Sequence, residues 1–165
     1  MWSPERYAPV RAFFSEGSRR HALLKFFYSF VSLPVYCAYP ALLVLLWQAE
    51  DPRLLRTVLV PAAAFVLCTV LRRLLNWPRP FEQEGFEPLI DTHSKGESFP
   101  SRHAASAVVI ALAAWYAAPG MGPALSVIAL LICAVRVIAG VHHLRDVAAG
   151  AALSLLVGGI GFWLF

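Results

Sequence analysis

The sequence predicts an all-α membrane protein, a polytopic bundle of about five transmembrane helices with an N-terminal interfacial helix. Hydrophobic residues make up 59% of its 165 residues, and the mean hydropathy is +0.63. Charged residues make up only 15%, against roughly 25% in soluble domains. The apolar residues fall in long runs, and a helix needs about 20 such residues to cross a bilayer. We therefore expect residues 1–165 to form a single membrane-embedded domain.

Residues 1–20 are expected to form an interfacial segment. Apolar side chains recur there at helical spacing, with charged residues among them. They are Tyr7, Val10, Phe13 and Phe14. Pro9 weakens the helical interpretation, and the alternative is a disordered tail. We expect no cleaved signal peptide, because the first apolar run begins only after Arg20 and is longer than the apolar core of a typical signal.

Five apolar runs predict the transmembrane helices. They lie at about residues 21–48, 52–76, 101–118, 124–141 and 144–165. The first run contains Pro34 and Pro40, which membrane helices tolerate and which can kink them. Asp51 is expected to cap the second helix, with Pro52 at its first position.

A long polar connection, residues 77–100, joins the second and third predicted spans. Long connections in compact domains are often functional, and we expect this one to be an active-site loop. With five spans, this loop, the N-terminus and four helix ends share one membrane face. Gly150, Ser154 and Gly158 repeat every four residues in the last span, which favours close packing within the bundle.

The stretch from Arg136 to Asp146 carries ionisable residues between two apolar runs. Each costs roughly 2.5–3.5 kcal/mol at membrane depth, so such residues are functional candidates. His142 and Asp146 are four residues apart. On a helix this spacing places them on one face, where the carboxylate can orient the imidazole. Arg136 could hold a phosphate through charge-assisted hydrogen bonds. His143 lacks a comparable partner, and we expect a structural or headgroup role for it.

Two arginines at the end of the second span point to the same face. Arg72 and Arg79 are seven residues apart, which is one helix face if the helix continues that far. Pro78 and Pro80 instead favour an end to the helix before Arg79. The alternative role for these arginines is to reach lipid headgroups at a helix end.

The start of the third span supplies a third group. Ser101 at the N-cap position leaves backbone N–H groups free in the first helical turn, which is a common anion site. Arg102 and His103 follow directly and add a cation and an acid–base group. The alternative is an ordinary cap with headgroup-facing side chains.

Together these residues predict phosphoryl transfer that needs neither a metal nor a cofactor. No Cys, His or carboxylate set has metal-ligand spacing, and no Gly-rich phosphate loop is present. Arginines bind phosphate oxygens and neutralise charge in the transition state. One histidine can attack the phosphorus while another protonates the leaving oxygen. The net charge of +4 suits lipid headgroups or a phosphorylated ligand, and no patch typical of nucleic-acid binding accompanies it.

This pattern resembles the type 2 phosphatidic acid phosphatase superfamily. That superfamily carries three motifs: Lys, six residues, Arg-Pro; then Pro-Ser-Gly-His; then Ser-Arg, five residues, His, three residues, Asp. The matching stretches here are Arg72 to Pro80, Pro100 to His103, and Arg136 to Asp146, with the same spacings and order. The motifs span residues 72–146, and the helical core of the superfamily would cover nearly everything after the first span.

The resemblance implies that His142 is the nucleophile, Asp146 its orienting carboxylate and His103 the general acid. It also implies a set of phosphate-binding residues, which are Arg72, Arg79, Ser101 and Arg136. Arg72 replaces the usual Lys, and Val135 replaces the usual Ser, which removes one hydrogen bond. Arg102 replaces Gly and is expected to contact a second phosphate or a headgroup.

The short chain looks most like the bacterial undecaprenyl-diphosphate phosphatases of this superfamily. The expected partners are therefore a phosphorylated lipid substrate and the bilayer, in the bacterial plasma membrane. Phosphatidate, phosphatidylglycerophosphate and other prenyl phosphates stay open as substrates, as does the oligomeric state. A non-catalytic lipid-phosphate binder or transporter is the alternative function. A vanadate-dependent peroxidase would share the anion pocket, but those enzymes are soluble.

Two arguments place the active face on opposite sides of the membrane. The predicted active face carries five N-terminal basic residues and the opposite face two, which by the positive-inside rule makes the active face cytoplasmic. The five are Arg6, Arg11, Arg19, Arg20 and Lys25, and the two are Arg53 and Arg56. The resemblance to undecaprenyl-diphosphate phosphatases instead favours the extracytoplasmic face, and we follow it. The roles of Lys95, His143 and Arg145 stay open.

Overall fold

The computed structural model describes residues 2–92 and 95–164, and every regular element among them is helical. Eight α-helices follow one another along the chain. They are α1 (Pro4–Phe13), α2 (Arg19–Phe30), α3 (Leu33–Gln48), α4 (Arg53–Leu75), α5 (Pro80–Glu84), α6 (Arg102–Ala117), α7 (Gly122–Ile138) and α8 (Leu144–Gly159). A 3₁₀ turn, Pro119–Met121, precedes α7, and a π-helical turn, Ile160–Leu164, extends α8. The predicted all-α membrane bundle is confirmed.

Four helical segments within the described residues are long and apolar enough to cross a membrane: Arg19–Gln48, Arg53–Glu84, Pro119–Ile138 and Leu144–Leu164. The remaining predicted span is α6, which has 16 residues and is therefore about 24 Å long. Its side chains are mostly buried, and it contacts α4, α7 and α8. α6 is thus a short helix in the centre of the bundle rather than a fifth helix facing lipid.

The first two spans begin and end where proline and local hydrogen bonding dictate. The first is divided into α2 and α3 just before Pro34, which occupies the first turn of α3, where its missing N–H costs nothing. Pro40 lies inside α3 without ending it. α4 begins at Arg53 with Pro52 as its N-cap residue, one position later than expected. The Asp51 carboxylate, just before it, accepts a 2.8 Å hydrogen bond from the N–H of Arg53. α4 ends at Leu75, followed by Asn76 in the left-handed conformation.

α8 lies against α6 through small residues. A Cβ atom on Gly150 would lie 2.5 Å from the carbonyl oxygen of Ser101, so only glycine permits this approach. The Ser154 hydroxyl donates a 2.7 Å hydrogen bond to the carbonyl of Ala105, and Gly158 lies against Leu112. The predicted packing of this stripe within the bundle is confirmed, and it holds the N-terminal ends of α6 and α8 side by side.

The polar connection 77–100 folds back on itself. Its first part contains the short helix α5, and His93 lies outside the described residues. The Glu82 carboxylate accepts hydrogen bonds from the N–H groups of Arg79 (2.9 Å) and Gly96 (2.8 Å). The N–H of Ser98 donates to the carbonyl of Trp77 at 2.8 Å. These bonds close the connection over the ends of α4 and α6.

The N-terminal segment contains a helix, as its spacing predicts. Ser3 caps α1, accepting a hydrogen bond from the N–H of Arg6, and Pro9 lies inside α1 without ending it. Tyr7 is only 1% exposed, which the interfacial interpretation did not anticipate. Its hydroxyl donates to the carbonyl of Ile138 at 3.0 Å. α1 therefore lies against the C-terminal end of α7.

Candidate active site

The side chains that the sequence singles out lie at helix ends. Arg72 is in the last turn of α4 and Arg136 in the last turn of α7. Ser101 is the N-cap residue of α6, and Asp146 is in the first turn of α8. A 2.8 Å hydrogen bond from the N–H of Ser101 to the carbonyl of Asp146 joins the last two helix ends.

His142 and Asp146 are paired, but not on one helix. His142 lies in the connection before α8, and Asp146 lies in the first turn of α8. The expectation that the two share one helix face is therefore wrong. The two meet because the chain turns at the start of α8. The Nδ1 atom of His142 is 3.6 Å from Oδ2 of Asp146, and both residues are buried.

Ser98 lies within hydrogen-bonding distance of both members of this pair. Its hydroxyl donates a 2.7 Å hydrogen bond to Oδ2 of Asp146, and its Oγ lies 3.3 Å from Nδ1 of His142. Because the hydroxyl has one hydrogen, Oγ can only accept from Nδ1, which must then carry the imidazole proton. This tautomer leaves the Nε2 lone pair of His142 for attack. Ser98 has no role in the sequence prediction.

Asp146 is fixed by two further contacts. Its Oδ2 accepts a 2.9 Å hydrogen bond from the N–H of His143, which is the contact of a helix capping box. Its Oδ1 is 3.5 Å from Nε of Arg145. Arg145 also lies over the Trp77 ring, with its guanidinium carbon 4.9 Å from the ring centroid. The carboxylate that faces His142 is therefore held in one orientation.

Three buried arginines approach this cluster from other helix ends. Arg72 donates a 3.0 Å hydrogen bond to the carbonyl of Pro100, and Arg136 lies 4.1 Å above the Tyr28 ring centroid. Arg79 is the N-cap residue of α5, and α4 ends at Leu75, so the predicted end of the helix before Arg79 is confirmed. The Nε atoms of all three are buried and have no hydrogen-bond partner among the described residues. Buried cationic groups that lack full partners favour an anion between them.

The N-terminal end of α6 presents further groups to an anion. The first-turn N–H groups of a helix have no intrahelical acceptor. The Ser101 hydroxyl is buried and, among the described residues, also has no hydrogen-bond partner. His103 is half-buried and interacts electrostatically with Arg136 and His142. Arg102 is exposed at the edge of the cluster.

Burial holds His142 in its neutral form. It lowers the pKa of His142 below the ordinary value of 6.5 and outweighs the attraction of the Asp146 carboxylate. The positive charges of Arg79 and Arg72 lower this pKa further. A neutral imidazole beside cationic groups is what nucleophilic attack on an anionic substrate requires.

The remaining histidine of this stretch has a structural position. The Nδ1 atom of His143 accepts a 3.1 Å hydrogen bond from the backbone N–H of Trp2, and the side chain is fully buried. The structural alternative expected for His143 is confirmed. Within residues 2–92 and 95–164, no group of three or more His, Cys, Asp or Glu side chains could hold a metal ion.

Comparison with known proteins agrees with the family that the three motifs indicate. A family model described as the PAP2 superfamily matches residues 53–165. Decaprenylphosphoryl-5-phosphoribose phosphatase of Mycobacterium tuberculosis is 36% identical over 129 residues, covering 76% of this chain and 71% of that protein.

Two solved structures have a similar fold. Aquifex aeolicus LpxE is 26% identical, with a TM-score of 0.72, and the match covers 93% of this chain and 92% of that chain. A PAP2-type phosphatidylglycerolphosphate phosphatase from Bacillus subtilis is 23% identical, with a TM-score of 0.57 and coverage of 98% and 77%. The second likeness is one of fold alone.

Proposed function

The chain belongs to the PAP2 superfamily, and we propose that it removes a phosphate from a polyprenyl lipid through a phosphohistidine intermediate at His142. In coarser terms it is a multi-pass membrane lipid phosphatase, a hydrolase acting on phosphate esters. The observation that carries the finer proposal is the buried cluster of His142, Asp146 and Ser98 beside three buried arginines.

The proposed phosphate site is built from four helix ends, those of α4, α5, α6 and α7. Arg72, Arg79 and Arg136 bind the non-bridging oxygens and neutralise the charge that develops in the transition state. The first-turn N–H groups of α6 and the Ser101 hydroxyl add uncharged donors. This arrangement also explains why these buried polar atoms lack partners within the described protein.

The proposed reaction has two steps. In the first, the Nε2 lone pair of His142 attacks the phosphorus, and the bond to the lipid oxygen breaks with its electron pair on that oxygen, which takes a proton from His103. Asp146 stabilises the imidazolium that forms. In the second, His103 takes a proton from an attacking water, the P–N bond breaks with its electron pair on Nε2, and inorganic phosphate leaves.

Two observations support a polyprenyl lipid with a second phosphate. The name of the M. tuberculosis relative describes a phosphate on a ribose that a further phosphate links to decaprenol. Arg102, at the edge of the cluster, is exposed and stands where the superfamily motif has Gly. We propose that Arg102 binds the second phosphate of a polyprenyl diphosphate, such as undecaprenyl diphosphate, or of a polyprenylphosphoryl sugar phosphate.

The purified protein should release phosphate from these substrates in the presence of a chelator. The measurement is a phosphate-release assay on polyprenyl diphosphate, polyprenyl monophosphate and phosphatidate. Arg102→Gly should lower kcat/KM for the diphosphate by about tenfold, the value of one charge-assisted contact. It should leave the monophosphate unaffected. Equal effects on both prenyl substrates would contradict the role of Arg102. A wild-type protein that releases no phosphate would contradict the function.

The rate should depend on pH as a bell-shaped curve. On the acid side His142 gains a proton and loses its nucleophilic lone pair, and because burial lowers its pKa, this limb should lie below pH 6.5. On the alkaline side His103 loses the proton it must donate. Burial and the positive charge of Arg136 lower the pKa of His103 in the free protein, so the negative charge of the bound phosphate has to restore this proton, and the alkaline limb should appear in kcat rather than in kcat/KM. The measurement is kcat and kcat/KM across a pH series. An acid limb with its midpoint above pH 6.5, or a rate that does not vary with pH, would contradict these roles.

We further propose that the site faces the outside of a bacterial plasma membrane. Gln83 is exposed in α5 near the site, and Gly120 is exposed in the turn after α6, at the opposite face, with room for a Cβ. In a chain without native cysteines, a membrane-impermeant maleimide should label Gln83→Cys in intact cells and Gly120→Cys only after lysis. The reverse pattern would place the site in the cytoplasm.

A further inference from the structure

The connection between α7 and α8, which carries His142, takes its backbone partners from distant parts of the chain. The last carbonyls of a helix have no intrahelical donor. Here Val137, Ile138 and Ala139 accept hydrogen bonds in turn from the indole N–H of Trp2 (3.0 Å), the hydroxyl of Tyr7 (3.0 Å) and the N–H of Leu89 (3.2 Å). Two of these three bonds come from the first seven residues of the chain.

Tyr7 is the centre of this contact. Its hydroxyl donates to the carbonyl of Ile138 and accepts from the N–H of Leu89 at 3.2 Å, and this N–H is shared with the carbonyl of Ala139. It therefore joins α7 to the polar connection 77–100. Its ring lies 4.4 Å from the ring of Phe86 and is 1% exposed. Burial raises the pKa of Tyr7 to about 12, so the hydroxyl keeps its proton at any physiological pH.

Gly140 shows how closely Tyr7 fits this connection. A Cβ atom on Gly140 would lie 2.6 Å from the Tyr7 hydroxyl oxygen, and Gly140 has φ +77°, a conformation that favours glycine. The backbone two residues before His142 thus rests directly on Tyr7. On the other side of His142, the ring of His143 is held by the N–H of Trp2. Contacts from the N-terminal segment lie on both sides of His142.

We propose that Tyr7 is a positioning residue, which fixes the α7–α8 connection so that His142 is aligned with the phosphorus. The inference rests on the proposed function, because alignment matters only if His142 attacks. Within residues 2–92 and 95–164, the hydrogen bonds of the Tyr7 hydroxyl go to Ile138 and Leu89 rather than to His142 or the proposed phosphate-binding side chains, so it acts through the backbone of Ile138 and Gly140. Nucleophilic attack needs the reacting atoms within a narrow range of distance and angle, and small displacements are costly.

Tyr7→Phe tests this role, because it removes the hydroxyl and keeps the ring. We expect kcat to fall by about tenfold, since a displacement of a fraction of an ångström costs this much, with KM unchanged. Tyr39→Phe is the matched control: the Tyr39 hydroxyl also donates to a backbone carbonyl, that of Thr57, at 2.9 Å, but in another part of the bundle. It should lose similar thermal stability and keep wild-type kcat.

Hydrogen exchange gives a second readout that does not depend on turnover. Backbone N–H groups of residues 139–143 should exchange faster in Tyr7→Phe than in wild type, and at the wild-type rate in Tyr39→Phe. Equal kcat in the two variants, or unchanged exchange at residues 139–143, would overturn the proposal. If wild type shows no turnover, the proposed function fails, and the exchange data still decide whether Tyr7 holds the connection. If Tyr7→Phe does not fold, Trp2→Phe, which removes the bond to Val137, takes its place.

Discussion

His142→Ala is expected to reduce phosphate release by roughly 10⁵–10⁶-fold, the largest effect of any single substitution in this chain. The proposed nucleophile is its Nε2 atom, and alanine leaves no lone pair near the phosphorus. Ser98 and Asp146 would remain in place but would have no imidazole to orient. The measurement is kcat with a lipid phosphate substrate, together with rapid alkaline quenching of wild type, because the P–N bond of phosphohistidine is stable in alkali and hydrolyses in acid.

His21→Ala is the control for this prediction. His21 lies at the start of α2, half-buried, with Nδ1 3.2 Å from the carbonyl of Phe14, and it has no role in the proposed reaction. It should keep near-wild-type kcat. Gel filtration and thermal unfolding establish that both variants fold. Wild-type turnover by a folded His142→Ala protein would exclude His142 as the nucleophile.

Asp146→Asn is expected to reduce kcat by about 10⁴-fold, the loss that the same change causes in a Ser-His-Asp triad. Asp146 is fully buried, and its Oδ2 accepts from the Ser98 hydroxyl and the His143 N–H. Asparagine has the same shape but no charge, so it cannot stabilise the imidazolium that forms when His142 attacks. Its amide also offers donors where the site needs acceptors. Both losses apply in the transition state, so KM should change little.

Ser98→Ala distinguishes the two functions of this cluster. The serine hydroxyl fixes the tautomer of His142, whereas the charge comes from Asp146, which stays 3.6 Å from Nδ1. We expect a loss of about tenfold, close to the value of one buried hydrogen bond. Steady-state kinetics of both variants should therefore give a graded series. If Ser98→Ala lost as much as Asp146→Asn, the tautomer of His142 rather than the charge of Asp146 would account for the loss.

Helix ends with strong local signals could be predicted from the sequence. The second span was expected at residues 52–76 and is Arg53–Leu75, because an uninterrupted apolar run is bounded by Asp51-Pro52 and by Asn76 shortly before Pro78. The break between α2 and α3 could not be predicted in the same way. Two prolines allow a kink in that run, and packing against the rest of the bundle decides which one is used.

The burial of α6 could not be predicted from the spacing of apolar residues either. Its limits match the predicted span closely, but its short length and its contacts with three other helices follow from tertiary packing. An apolar run has the same appearance in sequence whether lipid or protein surrounds it. Its position at the centre brings Ser101 and His103 beside the ends of the other helices.

Some residues of the site could be predicted from the sequence, and others could not. Those within the three motifs were predicted by spacing and type, although the reason given for the pairing of His142 with Asp146 was wrong. Ser98 lies close to the second motif, but its hydroxyl reaches Asp146 across 48 residues of sequence, and the Tyr7 hydroxyl reaches Ile138 across 131. No local pattern records such contacts, because they arise from the way helices approach one another.

The glycine at position 150 gives the site an unusual pattern of mutational tolerance. It has no side chain that could contact a substrate, and the Ser101 carbonyl occupies the space of any side chain placed there. Even one methyl group at this position would force α6 and α8 apart. The proposed phosphate-binding residues of α6 would then move away from Asp146 on α8. In a scan of all substitutions, Gly150 should therefore resemble a chemically active residue, although its contribution is the atoms it lacks.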